Sequence, residues 1–314
     1  MTLNPPSACG SPDESADVNS VLGSEQSREH TRESASEFSG ESDYLSSRVS
    51  SSGVSGSVLD GGLESILKQA IAPVANQLDT EPEALFKAFH TLGEHGLLTP
   101  KSPASLGGLA LNTFEYQQFQ ALVARYSGAL AFLVTQHQSA ASLLLSAEQT
   151  ALAENYLPRM ATGEQRVGVG FSQLRRQPTP LLAEPVTGGY RLNGTVPWVT
   201  GAGLFTHFVG AAVLPDQSAV FGLLPLVSRG SAGADSRQAD SEQTGLEQLN
   251  SGEIWVSEPM ALAAMSATNT VEVQLENWFL PSDCVVGHRR AGWISEAGQS
   301  SDATGQSVYS RRST

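Results

Sequence analysis

Apolar positions recur every three or four residues from Leu63 to about residue 160, which is the spacing that places side chains on one face of an α-helix. Ser127 is the predicted N-cap of a helix that is apolar on nearly all sides from Leu130 to Leu145, so this helix is expected to lie centrally among its neighbours. Five helices are predicted, in LESILKQAIAPVANQL, EPEALFKAFHTLGEHG, the stretch from Phe114 to Val123, GALAFLVTQHQSAASLLL and EQTALAENYLPRM.

From Val167 onward the hydrophobic period shortens to two, and β-branched residues, aromatic residues and glycines become frequent. Gly188-Gly189 and Asn193-Gly194 are predicted turns between neighbouring strands. Helices followed by strands in separate runs are typical of an α+β protein with two domains. We therefore expect a helical N-terminal domain over 58–165 and an antiparallel β-barrel or sandwich domain over 166–290. Seven strands are predicted, in RVGVGFSQL, LLAEPV, GYRLNGTVPWVTGAG, THFVGAAVL, AVFGLLPL, GEIWVS and TVEVQLENWFL.

Three stretches have the composition of disordered chain. Residues 1–57 contain seventeen serines and few aliphatic residues, and 291–314 has a similar composition. Such sequences bury too little apolar surface to offset the conformational entropy lost on ordering. Both termini are therefore predicted to be disordered, and the polar stretch 231–252 is predicted to be a mobile insertion between two strands.

The net charge of −14 comes mostly from the predicted disordered segments, because 1–57 contributes −6 and 231–252 contributes −3. No broad basic face is implied, so nucleic acid is not an expected partner. The N-terminus lacks the basic and apolar regions of a signal peptide, and the most apolar run is too polar at Gln136-His137-Gln138 for a membrane span. The two cysteines form no disulfide framework. The sequence thus predicts a soluble cytoplasmic protein in a reducing compartment.

The stretch RLNGTVPWVTGAG places an aromatic residue and a hydroxyl residue two positions apart on a predicted strand. Residues two apart on a strand point to the same face, so Trp198 and Thr200 are expected to face the same way. A flat aromatic wall next to a hydrogen-bonding hydroxyl suits a planar cofactor. On the pattern alone, a buried strand aromatic with an ordinary β-branched neighbour remains the alternative.

Four stretches in chain order resemble the acyl-CoA dehydrogenase family. PASLGGLAL is similar to the family's Gly-Gly-Leu-Gly turn between its second and third helices, and EQTALAENYLPRMATGEQ to the stretch that closes its helical domain. YRLNGTVPWVTGAG is similar to the hairpin with a Trp-(Ile/Val)-Thr triplet, and VEVQLENWFLPSDCVVG to the segment leaving its β-domain. Their common order over residues 60–290 makes the resemblance specific.

The resemblance implies a flavoprotein that uses FAD to oxidise an acyl-CoA thioester. On this mapping Trp198 walls one face of the flavin, Thr200 bonds near its redox nitrogen, and Phe171 and Ser172 contact it from a neighbouring strand. The family also has a C-terminal four-helix bundle, for which this chain has no counterpart. In the family that bundle completes the flavin site, makes oligomer contacts and usually supplies the glutamate base. No catalytic base is therefore assigned here, and the candidate protein partners are a homo-oligomer or a second chain that supplies the bundle.

The chain departs from the family's pattern after the first strand. The family continues with Thr-Glu-Pro-Gly-Ala-Gly-Ser-Asp, whereas this chain reads Ser-Gln-Leu-Arg-Arg-Gln-Pro from Ser172. Arg175 and Arg176 are candidates for a substrate or phosphate contact, because guanidinium groups match phosphate geometry. On an alternating strand only one of the two could face the site.

The same departure keeps two further hypotheses open. One is a flavin-dependent monooxygenase of the same superfamily, which needs no base for the substrate α-proton. The other is a non-catalytic binding or assembly protein that has kept the scaffold. No His, Cys or carboxylate spacing predicts a metal site, and His137 is interpreted as a buried helix histidine with satisfied hydrogen bonds.

Overall fold

The structure is a computed structural model, and it describes residues 61–176, 178–228 and 252–291. The segments predicted to be disordered, 1–57, 231–252 and 291–314, lie outside these residues except for Gly252 and Ala291. The boundaries of the two predicted domains stay predictions.

Five helices form as the apolar periodicity predicts, although the first is irregular. Helix α1 starts as an α-helix, widens to a π-helical turn over Leu67–Ile71 and tightens to a 3-10 turn over Ala72–Val74, which contains Pro73. Proline lacks the backbone N–H that a continuing α-helix needs, which accounts for the end of α1 at this point. The α-helical bounds are α1 Leu63–Ile66, α2 Pro82–Glu94, α3 Thr113–Tyr126, α4 Gly128–Leu145 and α5 Thr150–Thr162.

Local capping explains where the longer helices begin and end. Asn112 and Glu115 form a capping box at the start of α3, with each side chain accepting from the other residue's backbone N–H. The predicted N-cap of α4 is confirmed, since Ser127 Oγ accepts from the Leu130 N–H at 3.1 Å. Helix α5 ends at Gly163, whose φ of +80° lies in the left-handed region that glycine adopts without strain.

Eight strands form one open mixed sheet. Its order is β6-β7-β3-β2-β4-β5-β8, and β1 pairs with β4 beside this path. The outer strands β6 and β8 are not paired with each other within the described ranges, so the sheet is open rather than a closed barrel. The strands are β1 Val167–Gly170, β2 Leu181–Val186, β3 Gly189–Val199, β4 His207–Val213, β5 Ala219–Pro225, β6 Glu253–Val256, β7 Val271–Pro281 and β8 Val285–Arg289.

The sheet is also not purely antiparallel, because β1 and β2 share one edge of β4. Strand β1 pairs in parallel with the first half of β4, and Leu182 of β2 pairs in parallel with Val213 at its end. Between β1 and β2 the chain leaves the sheet in a 3-10 turn over Ser172–Arg175. The predicted strand RVGVGFSQL therefore ends early, at Gly170, and the eighth strand was not predicted from the sequence.

The predicted turn at Asn193-Gly194 is wrong, whereas the predicted turn at Gly188 is confirmed. Strand β2 turns into β3 at Gly188, which has a φ of +82°. Asn193 and Gly194 instead lie inside β3, at a bulge in its pairing with β7. A Cβ on Gly194 would collide with the Pro180 carbonyl oxygen. This glycine therefore allows a close approach between strands rather than a hairpin turn.

Two apolar clusters cover opposite faces of the central strands. In β4, Phe208 and Ala212 belong to one cluster and Val209 and Ala211 to the other. Alternate residues of a strand point to opposite faces, so both faces of β4 are buried. Both clusters contain helical side chains, including Phe89 and Leu130 in the first and Leu144 and Leu157 in the second. The helices and the sheet therefore share their cores.

The outer edge of β8 is covered by Glu148, in the connection between α4 and α5. Its backbone N–H donates to the Val286 carbonyl at 3.0 Å, and its carboxylate accepts from the His288 backbone N–H at 3.0 Å. Tyr190 lies on β3, and its hydroxyl forms a hydrogen bond of 2.8 Å with Nε2 of the His288 ring. Edge strands with unpaired backbone groups promote association, so these contacts protect this edge.

Cys284 lies in the 3-10 turn between β7 and β8 and is buried. There is no free thiol among the described residues.

Buried His137 links α4 to both the end of α5 and the start of β1. Its Nε2 lies 3.0 Å from the Met160 carbonyl oxygen, and the Val167 N–H donates to its Nδ1 at 3.2 Å. One tautomer of the neutral ring satisfies both bonds, which confirms the interpretation of this residue as a satisfied core histidine. Burial, opposed by the backbone hydrogen bonds and reinforced by the Arg166 charge, lowers the pKa of His137 to about 4.

This pKa makes stability depend on pH in a defined window. Because the folded-state pKa lies below the ordinary value of 6.5, the unfolded chain takes up the proton first. The free energy of unfolding should therefore fall by up to ~3 kcal/mol as the pH drops from about 6.5 to about 4. Urea unfolding across this range measures the loss. His137→Gln should reduce this pH dependence of the free energy of unfolding. His90→Gln, on the exposed face of α2, should leave the pH dependence unchanged. An equally steep loss of stability in His137→Gln would contradict this account.

Candidate functional site

The end of β1 lies unusually close to the end of β3. A Cβ on Gly170 would lie 2.8 Å from Val199 Cγ2 and 3.0 Å from Val196 Cγ1. Real Cβ atoms are almost never found closer than 3.0 Å to such neighbours. The 3-10 turn that follows Gly170 also contacts β3. The absence of a side chain at position 170 thus places Phe171 and Ser172 next to the strand that contains Trp198.

Trp198 has an exposed indole on a strand whose neighbouring residues are buried. Its exposed fraction is 56%, whereas Pro197 and Val199 are buried. The pairing of β3 with β7 is interrupted between Val196 and Val199. Pro197 cannot donate a ladder hydrogen bond, and proline in a strand occurs at such bulges. Bulges redirect side chains, and this one presents a large apolar ring to solvent.

Thr200 lies just beyond the end of β3 and is only 6% exposed. Its Oγ1 lies 3.2 Å from Thr270 Oγ1, and either hydroxyl could be the donor. Trp198 and Thr200 are therefore in different environments, which the period-two argument did not anticipate because of the bulge and the strand end. One bond between two hydroxyls uses one of their two hydrogens, so the pair retains a hydrogen for another acceptor.

Phe171 and Ser172 lie next to each other but have different surroundings. The Phe171 ring packs edge-to-face on Phe221 of β5, with the ring centroids 5.6 Å apart. This contact places Phe171 in the second apolar cluster, where it has a packing role. Ser172 is exposed at the start of the 3-10 turn. Of the two, Ser172 has the side chain that is accessible to a ligand.

Gln173 anchors this turn, and its role was not predicted from the sequence. The side chain is fully buried, and Nε2 donates to the Ala211 carbonyl of β4 at 2.8 Å. Its Oε1 is buried and has no hydrogen-bond donor among the described residues. A buried acceptor without a donor is destabilising. The Gln173 carbonyl oxygen would therefore be stabilised by a hydrogen-bond donor placed next to it. The sequence around Gln173 contains no motif that predicts this anchoring role.

Arg175 and Arg176 are both exposed, and neither lies on a strand. Arg175 ends the 3-10 turn and Arg176 follows it in an extended conformation. Strand alternation therefore does not restrict the site to one of the two arginines, contrary to the prediction. Their assignment to a phosphate remains a prediction.

The candidate surface is open to solvent at Trp198 and Ser172, which are both exposed among the described residues. A cavity of about 320 Å³ lies nearby, where the start of α2 meets the connection between β3 and β4, but its lining contains neither Trp198 nor Ser172. Within the described ranges there is no group of three metal-binding side chains. None of the helices there combines the length and apolar character needed to cross a bilayer.

Comparisons with known proteins agree with this arrangement of helices and sheet. The family model "Acyl-CoA dehydrogenase, N-terminal domain" matches residues 61–164. The very long-chain specific mitochondrial acyl-CoA dehydrogenase of Rattus norvegicus is 26% identical over 227 residues, covering 63% of this chain. Residues 61–164 of this chain therefore belong to the acyl-CoA dehydrogenase N-terminal domain family.

Solved structures share the fold at low sequence identity. An acyl-CoA dehydrogenase of Bacillus anthracis, complexed with FAD, has a TM-score of 0.59 at 17% identity, covering 76% of this chain and 38% of that one. An acyl-CoA dehydrogenase of Geobacillus kaustophilus has a TM-score of 0.60 at 13% identity, covering 78% and 61%. These likenesses extend across the helices and the sheet.

This chain spans about a third of the rat relative, 34% of its length. The activity and partners of the whole relative therefore enter only as proposals. The relative is named as mitochondrial, and the cytoplasmic location of this chain stays a prediction.

The contact at Gly170 leads to a direct test of how the site is assembled. Gly170→Ala should destabilise the protein by roughly 1–3 kcal/mol, because the added methyl group overpacks a contact between two strands. Urea unfolding measures this loss. Gly62→Ala is the matched control, since a Cβ there meets nothing within 4 Å and its φ is −67°. Equal stability of Gly170→Ala and the parent chain would contradict the close approach of β1 to β3.

Proposed function

We propose that this acyl-CoA dehydrogenase family member is a flavoprotein that binds FAD on the Trp198 surface and takes part in oxidising an acyl-CoA thioester. The observation that carries the proposal is the exposed indole of Trp198, which lies on a bulged strand next to the Ser172 turn. Exposing a large aromatic ring is unfavourable in water, and a planar ring system would cover it. A solved protein of the same fold is complexed with FAD.

The residues of this surface fit an isoalloxazine ring in two respects. Trp198 offers a flat apolar wall for stacking, and the Thr200–Thr270 pair retains one hydroxyl hydrogen for an acceptor at the ring's polar edge. Ser172 adds an exposed hydroxyl from the neighbouring turn. Bound FAD would supply the acceptor for the hydride that leaves the acyl chain. Phe171 would support the turn through its contact with Phe221 rather than touch the ring.

The α-proton of the thioester would be removed by a group from outside the described residues. General-base catalysis requires a basic group within hydrogen-bond reach of the proton, and no residue described around Trp198 is assigned that role. The open face would have to be covered to exclude water from the reaction. We propose that a part of the protein outside the described residues, or a second chain, provides both the cover and the base.

The altered turn favours a second candidate, a flavin-dependent monooxygenase of the same superfamily. The side chains of Gln173 and Leu174 are buried in this turn, where the family has small residues that let the backbone approach its ligands. A monooxygenase needs no α-proton base. The openness of the surface supports a third candidate, a binding or assembly protein without chemistry of its own.

Titration of the purified chain with FAD tests the proposal. We expect saturable binding, followed by flavin absorbance and by quenching of tryptophan fluorescence. Trp198→Leu should weaken FAD binding about ten-fold, as expected from losing roughly 1–1.5 kcal/mol of aromatic stacking. Trp255→Leu removes another exposed indole, on the edge strand β6, and should leave the affinity unchanged.

The chemistry of the loaded protein separates the candidates. Bleaching of the flavin by an acyl-CoA supports the dehydrogenase. Bleaching only by an external reductant, with rapid reoxidation by oxygen, supports the monooxygenase. A chain that binds no FAD contradicts both flavin proposals and leaves the binding or assembly role.

A further inference from the structure

The turn from Met265 to Asn269 is strained, and it lies directly behind Thr200. Met265 has a φ of +58° and Asn269 a φ of +46°, on either side of a 3-10 turn over Ser266–Thr268. Non-glycine residues are uncommon in this left-handed region and persist only where surrounding contacts enforce them. The contacts that enforce this turn therefore decide its shape.

Asp79, in the connection between α1 and α2, makes three of these contacts. Its Oδ1 accepts from the Met265 N–H at 2.9 Å. Its backbone carbonyl accepts from the Ala267 N–H at 2.9 Å and from Ser266 Oγ at 3.1 Å. A single residue from the helical part of the chain thus bonds three consecutive residues of a turn more than 180 positions away.

The C-terminal residues of the turn form hydrogen bonds with the loop that follows β3. The Gly201 N–H donates to the Thr268 carbonyl at 2.8 Å, and the Ala202 N–H donates to the Asn269 carbonyl at 3.1 Å. Asn269 Nδ2 also donates back to the Ala202 carbonyl at 3.1 Å. The next residue, Thr270, bonds the Thr200 hydroxyl. The position of Thr200 is therefore set by a turn whose shape is set by Asp79.

We infer that Asp79 is a positioning residue for the Thr200–Thr270 hydroxyl pair, acting through the strained Met265–Asn269 turn. The carboxylate holds the Met265 N–H, and with it the first left-handed residue of the turn. Its loss leaves the two backbone-carbonyl contacts in place, so the turn should loosen without a loss of the fold. The link to a flavin rests on the proposed function, whereas the mechanical link from Asp79 to Gly201 and Ala202 does not.

Amide hydrogen exchange tests the mechanical link without any ligand. In Asp79→Ala, the Gly201 and Ala202 amides should exchange at least ten-fold faster than in the parent chain. Asp79→Asn keeps a carbonyl oxygen at the same place and should restore the protection. Asp216→Ala is the control, because Asp216 likewise accepts from a backbone N–H, that of Ser218 at 2.9 Å, in the β4–β5 connection. Unchanged exchange at Gly201 and Ala202 in Asp79→Ala would overturn the inference.

FAD titration then tests whether the link reaches the cofactor. Asp79→Ala should weaken FAD binding several-fold, Asp79→Asn should recover it, and the loss should vanish in a Thr200→Val background. A purely structural effect of Asp79 would persist in that background and would overturn the positioning role, as would an affinity equal to that of the parent chain.

The two proposals can fail separately. Faster exchange of the Gly201 and Ala202 amides in Asp79→Ala, with no FAD binding by the parent chain, would support the mechanical link and contradict the proposed function. If Asp79→Ala does not fold, Thr270→Val removes the last bond of the same pathway at a buried site. It should weaken FAD binding as Thr200→Val does, and full affinity in Thr270→Val would overturn the inference.

Discussion

The short strand β1 must lie against helix α4 and strand β3 at the same time, and the rest of the structure depends on this constraint. Val167 at its start bonds the buried His137 of α4, and Gly170 at its end has no room for a side chain against Val196 and Val199. Gly168 is similarly confined, because a Cβ there would lie 2.8 Å from the Phe205 ring. Alternating glycines thus let one four-residue strand join the helices to the sheet. The turn after β1 is placed against strand β3, which contains Trp198, as a result.

The helices were predictable because the signals that form them are local. Ser127 caps α4 within three residues, and the apolar spacing of α2 to α5 is contained in each segment. The details of the sheet were not predictable, since they depend on distant partners. Asn193-Gly194 has the sequence of a hairpin turn, yet Gly194 serves a close approach to Pro180. Pro197 is a local indication of the bulge at Trp198. At a bulge the strict alternation of side chains along a strand no longer holds.

The candidate site shows the same division. The importance of Trp198 was inferred from the sequence through its motif, and its exposure is consistent with that role. The burial of Thr200 depends on Thr270, which is seventy positions away, and the shape of that contact depends on Asp79 in the helical part. The packing of Phe171 against Phe221 and the buried amide of Gln173 likewise involve other strands. Such non-local contacts determine which side chains of a motif that resembles a family's binding motif are accessible to a ligand.

The proposed FAD site combines an exposed aromatic wall with a hydroxyl pair that the helical part holds from behind. A crystal structure of this chain with FAD tests this account most directly. The account predicts isoalloxazine density stacked on the Trp198 indole, with the Thr200–Thr270 pair at its polar edge. FAD bound elsewhere on the protein, with the Trp198 ring still open to solvent, would contradict it.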